Sequence, residues 1–269
     1  MPNTERNNMR ILFVGDIVGK PGRRALRELM PGIVNRHGID LTIANGENAA
    51  GGFGITREVV DELFENNVQV LTTGNHVWDK KESEGFIDDY VNLLRPANYP
   101  PGVPGRGYTI VADGLGNKVG VINLMGRVFM RPIDCPFRTA EAAIEKISPV
   151  AKVIVVDIHA EATSEKQAVG WFLDGKVSAV IGTHTHVQTS DNRVFTKGTA
   201  YITDAGMTGP LDSVIGVQKE KVLEGFLTGK AARFDVAKRD VRLQGVIVDV
   251  DEETGRSRTI ERVDMKLGD

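Results

Sequence analysis

A chain of 269 residues that is 41% hydrophobic and 26% charged can bury a substantial core, and its formal net charge of −3 provides no global field to recruit long nucleic acid or an anionic membrane. Residues 1–9 are polar and lack the apolar stretch of a signal peptide, and no run approaches the roughly 20 apolar residues that cross a bilayer. These features predict a cytoplasmic protein with one domain over residues 1–269, of which residues 1–9 form a polar N-terminal extension. The single cysteine, Cys135, excludes an internal disulfide and a thiolate zinc cluster. It lies in Arg131-Pro-Ile-Asp-Cys-Pro-Phe137, where the prolines predict a loop and neither a histidine neighbour nor a helix start is evident. A partly buried, unreactive thiol is the expectation.

Along the chain, extended and helical stretches alternate. The pattern predicts a strand over Arg10 to Val14, a helix over Arg23 to His37, a strand over Asp40 to Ala44, a helix over Arg57 to Asn66 and a strand over Val68 to Thr72. Thr56 suits an N-cap, with Glu58 and Asp61 near the positive end of the following helix. His37, just before Gly38, suits the negative end of its own helix. Arg95 to Gly107 is rich in turn formers. Tyr108 to Ala112 and Lys118 to Asn123 then read as a hairpin about Asp113-Gly-Leu-Gly-Asn117. Alternation resumes with a helix over Thr139 to Ile147, a strand over Lys152 to Asp157, a helix over Ser164 to Leu173 and a strand over Val177 to Gly182. Leu243 to Val250 and Ser257 to Val263 form a closing strand pair around Asp251-Glu-Glu-Thr-Gly255. The fold class expected is α/β: a two-sheet α/β/β/α sandwich with mixed sheets and helices outside.

Chemistry gathers where apolar runs stop. Asp16, Glu47 with Asn48, Asn75 with His76, and His159 each end a strand-like run, and His184 and His186 follow another one residue apart. Alternate strand residues share a side, so the last two imidazoles can face one site. An open α/β sheet aligns its strand ends along one edge, where ligands bind. Each residue has a plainer reading alone: Asp16 as a cap, Asn75-His76 as a left-handed turn, His159 as a hydrogen-bonded core histidine. Turn chemistry does not explain all of them recurring at successive strand ends. The set exceeds the needs of one divalent ion and fits a pair roughly 3.5–4 Å apart, a site type that hydrolyses phosphoesters. Carboxylate, amide and imidazole donors without thiolate suit iron or manganese, with zinc acceptable.

Gly15-Asp16, Gly46-Glu47-Asn48, Gly74-Asn75-His76, His159 and Gly182-Thr-His184-Thr-His186 occur in the order found in the calcineurin-like metallophosphoesterases, which the chain resembles. Val18 stands where that pattern has its first histidine, and Glu47 replaces the bridging aspartate. Both departures resemble the YmdB-like branch, over nearly the whole chain. The resemblance implies that Asp16, Glu47, Asn48 and His186 hold one ion and Glu47, Asn75, His159 and His184 the other, Glu47 bridging. It also implies a homo-oligomer and a phosphodiesterase for 2′,3′-cyclic nucleotides, acting through attack by a metal-bridging hydroxide. His76 is left unligated and is the candidate acid for the leaving oxygen. Asp79 is not assigned as its partner, because two residues intervene where many relatives have a carboxylate directly after the histidine.

Gly15-Asp-Ile-Val-Gly19-Lys20-Pro21-Gly22 has neither P-loop nor dinucleotide-binding spacing. Its glycines, and the amides of Thr203 to Pro210, are expected to let backbone approach metal or phosphate, while Asp204 is a turn or supporting residue outside the ligand set. Phe53, in a glycine-rich loop at the mouth, either stacks on a base or tucks into the core. Two alternatives to the phosphodiesterase stand: a phosphomonoesterase with the same ions, and a metal-containing regulatory protein acting through a partner.

Overall fold

The computed structural model describes residues 8–230 and 235–268. In chain order its elements are β1 (Asn8–Val14), β2 (Asp16–Ile17), α1 (Gly19–His37), β3 (Leu41–Asn45), α2 (Arg57–Glu65), β4 (Val70–Thr72), α3 (Ser83–Phe86), β5 (Tyr108–Ala112) and β6 (Lys118–Met125). There follow α4 (Pro136–Ile147), β7 (Val153–His159), α5 (Thr163–Leu173), β8 (Ala179–Thr183), β9 (Arg193–Val194), β10 (Ala200–Ile202), β11 (Met207–Pro210), α6 (Lys219–Thr228), β12 (Val241–Asp251) and β13 (Ser257–Lys266).

One sheet runs β2-β11-β12-β1-β3-β4 with β13 beside β12, and the other runs β5-β6-β7-β8-β10-β9. Both are mixed: β1, β3 and β4 are parallel while β12 is antiparallel to β1, and β6, β7, β8 and β10 are parallel while β5 is antiparallel to β6. Strand alternation sorts the core into three layers. Ile11 and Phe13 point from β1 into the space between the sheets, where they meet residues such as Val121, Val155, Ile181 and Ile202. Leu12 and Val14 point the other way and pack with Leu26 and Met30 of α1 and Val60 and Leu63 of α2. On the far side, Ile122, Leu124, Ile154 and Val156 pack under Ala140 and Ala143 of α4 and Val169 and Leu173 of α5. The result is the expected α/β/β/α sandwich.

Several expected boundaries move for identifiable reasons. Asn8 and Met9 belong to β1, with Met9 fully buried, so the polar N-terminal extension is shorter than residues 1–9. Residues 1–7 lie outside the described residues. Helix α1 starts at Gly19 rather than Arg23, because Pro21 falls in its first turn, where a missing N–H leaves no bond unmade. Pro136 likewise starts α4, three residues before the expected Thr139, which places Cys135 at the N-cap. The loop reading of Cys135 is therefore corrected. Burial pushes its thiol pKa up, but the amides of Arg138 and Phe137 at the helix start outweigh this and lower it. Thr56 caps α2 as expected, accepting from the Val59 amide at 3.4 Å. His37 lies in the last turn of α1, before the left-handed Gly38.

Gly22 shows how closely the layers approach. A Cβ there would lie 2.2 Å from the Thr208 carbonyl oxygen of β11. Alanine in a helix interior normally gains about 1 kcal/mol over glycine, but a clash with rigid backbone costs about 1–3 kcal/mol and has no flexible neighbour to absorb it. Gly22→Ala is therefore expected to destabilise the protein, read as a lower urea midpoint at unchanged m-value.

Candidate metal centre

Strands β3, β4, β7 and β8 end at one edge of the sandwich, and the polar side chains that follow them meet there. Glu47 and Asn48 follow β3, Asn75 and His76 follow β4, His159 is the last residue of β7, and Asp16 opens β2. Asp16, Glu47 and His159 are fully buried and Asn48 is nearly so. His159 Nε2 lies 3.0 Å from Glu47 Oε1, 3.1 Å from Asn75 Oδ1 and 3.0 Å from His184 Nδ1. His186 Nε2 lies 3.7 Å from Asp16 Oδ1 and 3.2 Å from Asn48 Nδ2. All seven expected ligand residues thus share one neighbourhood, with His76 beside them.

His184 and His186 reach it by another route than strand alternation. β8 stops at Thr183, and both histidines lie in the following loop with left-handed backbone, at φ 96° and 62°. Non-glycine residues adopt this conformation at a cost, so the surroundings must enforce it. Asp204, itself buried, contributes by accepting from the Thr185 amide at 3.0 Å, the Thr185 hydroxyl at 2.6 Å and the buried Lys166 Nζ at 2.8 Å. Asp16 Oδ2 also accepts from the His184 amide at 3.1 Å. The amides of Thr203 to Met207 are likewise engaged inside the protein, on Asp191, Thr189, Gly182, Asp204 and Gln244, rather than turned toward a phosphate. Gly15 is also used internally, because a Cβ there would lie 2.1 Å from the Gly206 carbonyl oxygen. Gly74 is the glycine the centre requires: a Cβ would lie 2.3 Å from His159 Nε2 and 2.5 Å from Glu47 Oε2.

Each imidazole is oriented from behind. Thr183 donates to Asp157 Oδ1 at 2.7 Å and accepts from His159 Nδ1 at 2.9 Å, which turns His159 Nε2 toward Glu47. His184 Nε2 lies 3.2 Å from Glu161 Oε2, with Nδ1 as the inward atom. His186 Nδ1 donates to the Ile215 carbonyl at 2.9 Å, leaving Nε2 inward. His76 Nδ1 pairs with Asp79 Oδ2 at 2.7 Å, so Asp79 is its partner after all: a turn brings residue i+3 back onto the ring. Glu47 Oε2 accepts from the His76 amide at 3.1 Å, and Oε1 accepts from Asn48 Nδ2 at 3.2 Å beside His159, so both of its oxygens are engaged.

Electrostatics follow from burial and pairing. Burial pushes the His159 pKa down, but Glu47, Asp16 and Asp157 outweigh it and hold it up at about 9. Burial pushes Glu47 up, but the charge and hydrogen bond of His159, with His76, bring it down to about 2. Burial and the nearby His159 charge push His184 down to about 3, burial raises Asp157 to about 6, and burial also raises Asp16.

Metal ligation fits these donors. A single ring N–H on His159 Nε2 cannot serve the three polar atoms gathered within 3.1 Å, one of them another ring nitrogen. Asp16 Oδ1 is buried without a hydrogen-bond partner. Ligand atoms of Glu47, His159 and His184 lie within 4.8 Å of one another. The adjoining cleft, about 290 Å³, is walled by Val18, Phe53, Ile215, Val217 and Val236 beyond the polar residues. Phe53 is 38% exposed and meets the His76 ring edge-on, so it lines the mouth rather than tucking into the core.

A family model of YmdB-like proteins matches residues 12–263. The chain belongs to the YmdB-like family. This YmdB-like chain is 49% identical over 255 residues to a 2′,3′-cyclic-nucleotide 2′-phosphodiesterase of Bacillus subtilis (strain 168), covering 95% of itself and 96% of that relative. It superposes with a TM-score of 0.90 on the crystal structure of a hypothetical protein from Thermus thermophilus, at 42% identity, covering 97% of itself and 100% of that chain. A second solved structure, described as a novel phosphatase from Mycoplasma pneumoniae, also gives a TM-score of 0.90, at 33% identity, covering 96% and 94%.

Sequence reasoning overlooked Glu161, Asp157 as a supporting residue, and Lys166. In this YmdB-like chain Lys166 is wholly buried, and its ammonium pairs with Asp204. Lys166→Met would leave that carboxylate buried and unpaired, and a loss of about 3–5 kcal/mol is expected in chemical denaturation. The Glu47–His159 pair sets a pH window for metal-free protein. The His159 share is complete below its ordinary 6.5 and is lost as pH rises through about 9; the Glu47 share is complete above its ordinary 4.5 and is lost as pH falls through about 2. In chelator-treated samples, the stability gap between wild type and His159→Gln is expected to be widest between pH 4.5 and 6.5 and to narrow outside it.

Proposed function

We propose that this protein is a metal-dependent phosphodiesterase for small phosphodiesters, with 2′,3′-cyclic nucleotides its substrate class. The carrying observation is the crowding of Glu47, Asn75 and His184 around one nitrogen of His159, beside an unpartnered Asp16 oxygen. A cation on His159 would resolve the crowding, and a second beside Asp16 would satisfy that oxygen. The name of the Bacillus subtilis relative, at 49% identity over nearly the whole chain, supports the substrate class.

In this reading Asp16, Glu47, Asn48 and His186 hold one ion and Glu47, Asn75, His159 and His184 the second, with Glu47 common to both and iron or manganese favoured over zinc. Two such ions would supply a nucleophile from water near neutral pH and offset charge on the phosphoryl oxygens. The protein's own residues do the rest. Asn48 would turn its amide to present Oδ1 in place of Nδ2, which now faces His186. His159 gives up its Nε2 proton on loading. His76, held at Nδ1 by Asp79, keeps Nε2 for delivering a proton to the departing ribose oxygen. The apolar wall of Val18, Ile215, Val217 and Val236 excludes water beside the ester and receives a nucleobase. The same reading carries a cytoplasmic location and self-association.

Elemental analysis run alongside a diester and monoester screen tests this. Wild type is expected to carry about two ions per chain and to open 2′,3′-cyclic AMP without releasing inorganic phosphate from the product. Glu47→Gln is expected to lose metal, whereas His76→Ala keeps it and loses about 10²–10⁴ in turnover. Phosphate release from monoesters alone would select the phosphatase reading, and inert, fully metallated protein would select the regulatory one.

A further inference from the structure

A second cleft, of about 470 Å³, opens on the centre and is lined by Asn75, His76, Asp79, Phe129, Met130, Arg131 and His184. His76 and His184 line the first cleft as well, so the two hollows meet at these histidines. A cyclic nucleotide has one nucleoside on its phosphate and needs one hollow. A linear diester has two.

The second cleft displays its side chains deliberately. Phe129 is 88% exposed and sits at φ 62°, in a tight turn closed by the Met130 amide on the Arg127 carbonyl at 3.3 Å. Glycine or asparagine would occupy that position without strain; phenylalanine is strained there and gains no burial. Nor is the loop slack. Its base is clamped by the buried Glu165 carboxylate, which accepts from the Arg127 and Val128 amides at 3.0 Å each, and by the Gly126 amide on the His159 carbonyl at 3.0 Å. Arg131 follows, exposed, with no hydrogen bond or ion pair to another described residue. An aromatic face and a planar cation presented together are what single-stranded nucleotides use for stacking, and neither demands a particular base.

We infer that the protein also hydrolyses linear dinucleoside phosphodiesters, one base against the apolar wall at Ile215 and Val236, the other on Phe129 and Arg131. The inference rests on the hydrolase reading above. Water adds to phosphorus, one P–O ester bond breaks, and the leaving ribose oxygen takes the proton that His76 Nε2 holds, which solvent then restores. The products are a nucleoside and a nucleoside monophosphate.

Manganese-loaded full chain is offered adenylyl-3′,5′-adenosine and 2′,3′-cyclic AMP in parallel. Cleavage of both is expected. Phe129→Gly, which removes the ring while relaxing the backbone, and Arg131→Ala are each expected to lower the ratio of kcat/KM for the linear over the cyclic diester at least about tenfold, equivalent to about 1.4 kcal/mol. Turnover of the cyclic diester in the same preparations shows that the variants are folded. If the cyclic diester is opened and the linear one is not, or if the ratio is unmoved in both variants, the inference is overturned while the hydrolase reading stands. If metal-loaded protein opens neither, both are overturned.

Discussion

Glu47 follows a strand of one sheet and His159 ends a strand of the other, and their contact at 3.0 Å, both side chains buried, ties the two sheets at the edge where every other polar strand end arrives. Two opposite charges removed from water are tolerable only when mutually paired and further hydrogen-bonded. Both conditions are met: the His76 amide serves the carboxylate, and Thr183, backed by Asp157, serves the imidazole. The arrangement also explains why Gly74 has no room for a side chain, since that position lies against both members of the pair. What stabilises the bare pair is a proton on His159, and that proton occupies the atom a cation would use. Metal loading and proton release are thereby coupled.

How much of this was readable depended on whether the determinant was local. The layers followed from apolar periodicity, because alternating burial leaves its mark within five or six residues, as in Ile11 to Val14. The site residues were readable because each sits directly after such a run. Orientation was less so. His184 and His186 reach the shared neighbourhood by a route the sequence does not show, since their backbone is held by Asp204 and Asp16, distant in sequence, rather than by the strand's own alternation. Asp157 gave no signal, because Thr72 and Asn45, which it holds, lie 85 and 112 positions away. Asp79 failed for the opposite reason: only the turn geometry brings it back onto His76.

The two clefts differ in kind. The first is walled by aliphatic side chains from three separated segments, whose contact with a ligand is shape and exclusion of water. The second is open, and its features are a ring and a guanidinium held out on a clamped loop. Neither wall presents a pattern of donors and acceptors matched to one base edge, which is consistent with discrimination falling on the phosphate and its linkage.

Strand β12 lies between β1 and β11 in the middle of the first sheet, and β1 pairs with it over its full length, Asn8 opposite Asp251. The opening segment of the chain therefore waits for residues synthesised more than two hundred positions later before its hydrogen bonds on that side are made. Ile215 and Val236, which wall the first cleft, emerge equally late. During translation the second sheet, β5 to β10, can assemble while the first still has an open flank, a slow, non-local closure of the sort that exposes a strand edge to aggregation. A polypeptide released short of β12 would hold the histidines and carboxylates without the strand that closes the sheet behind Asp16.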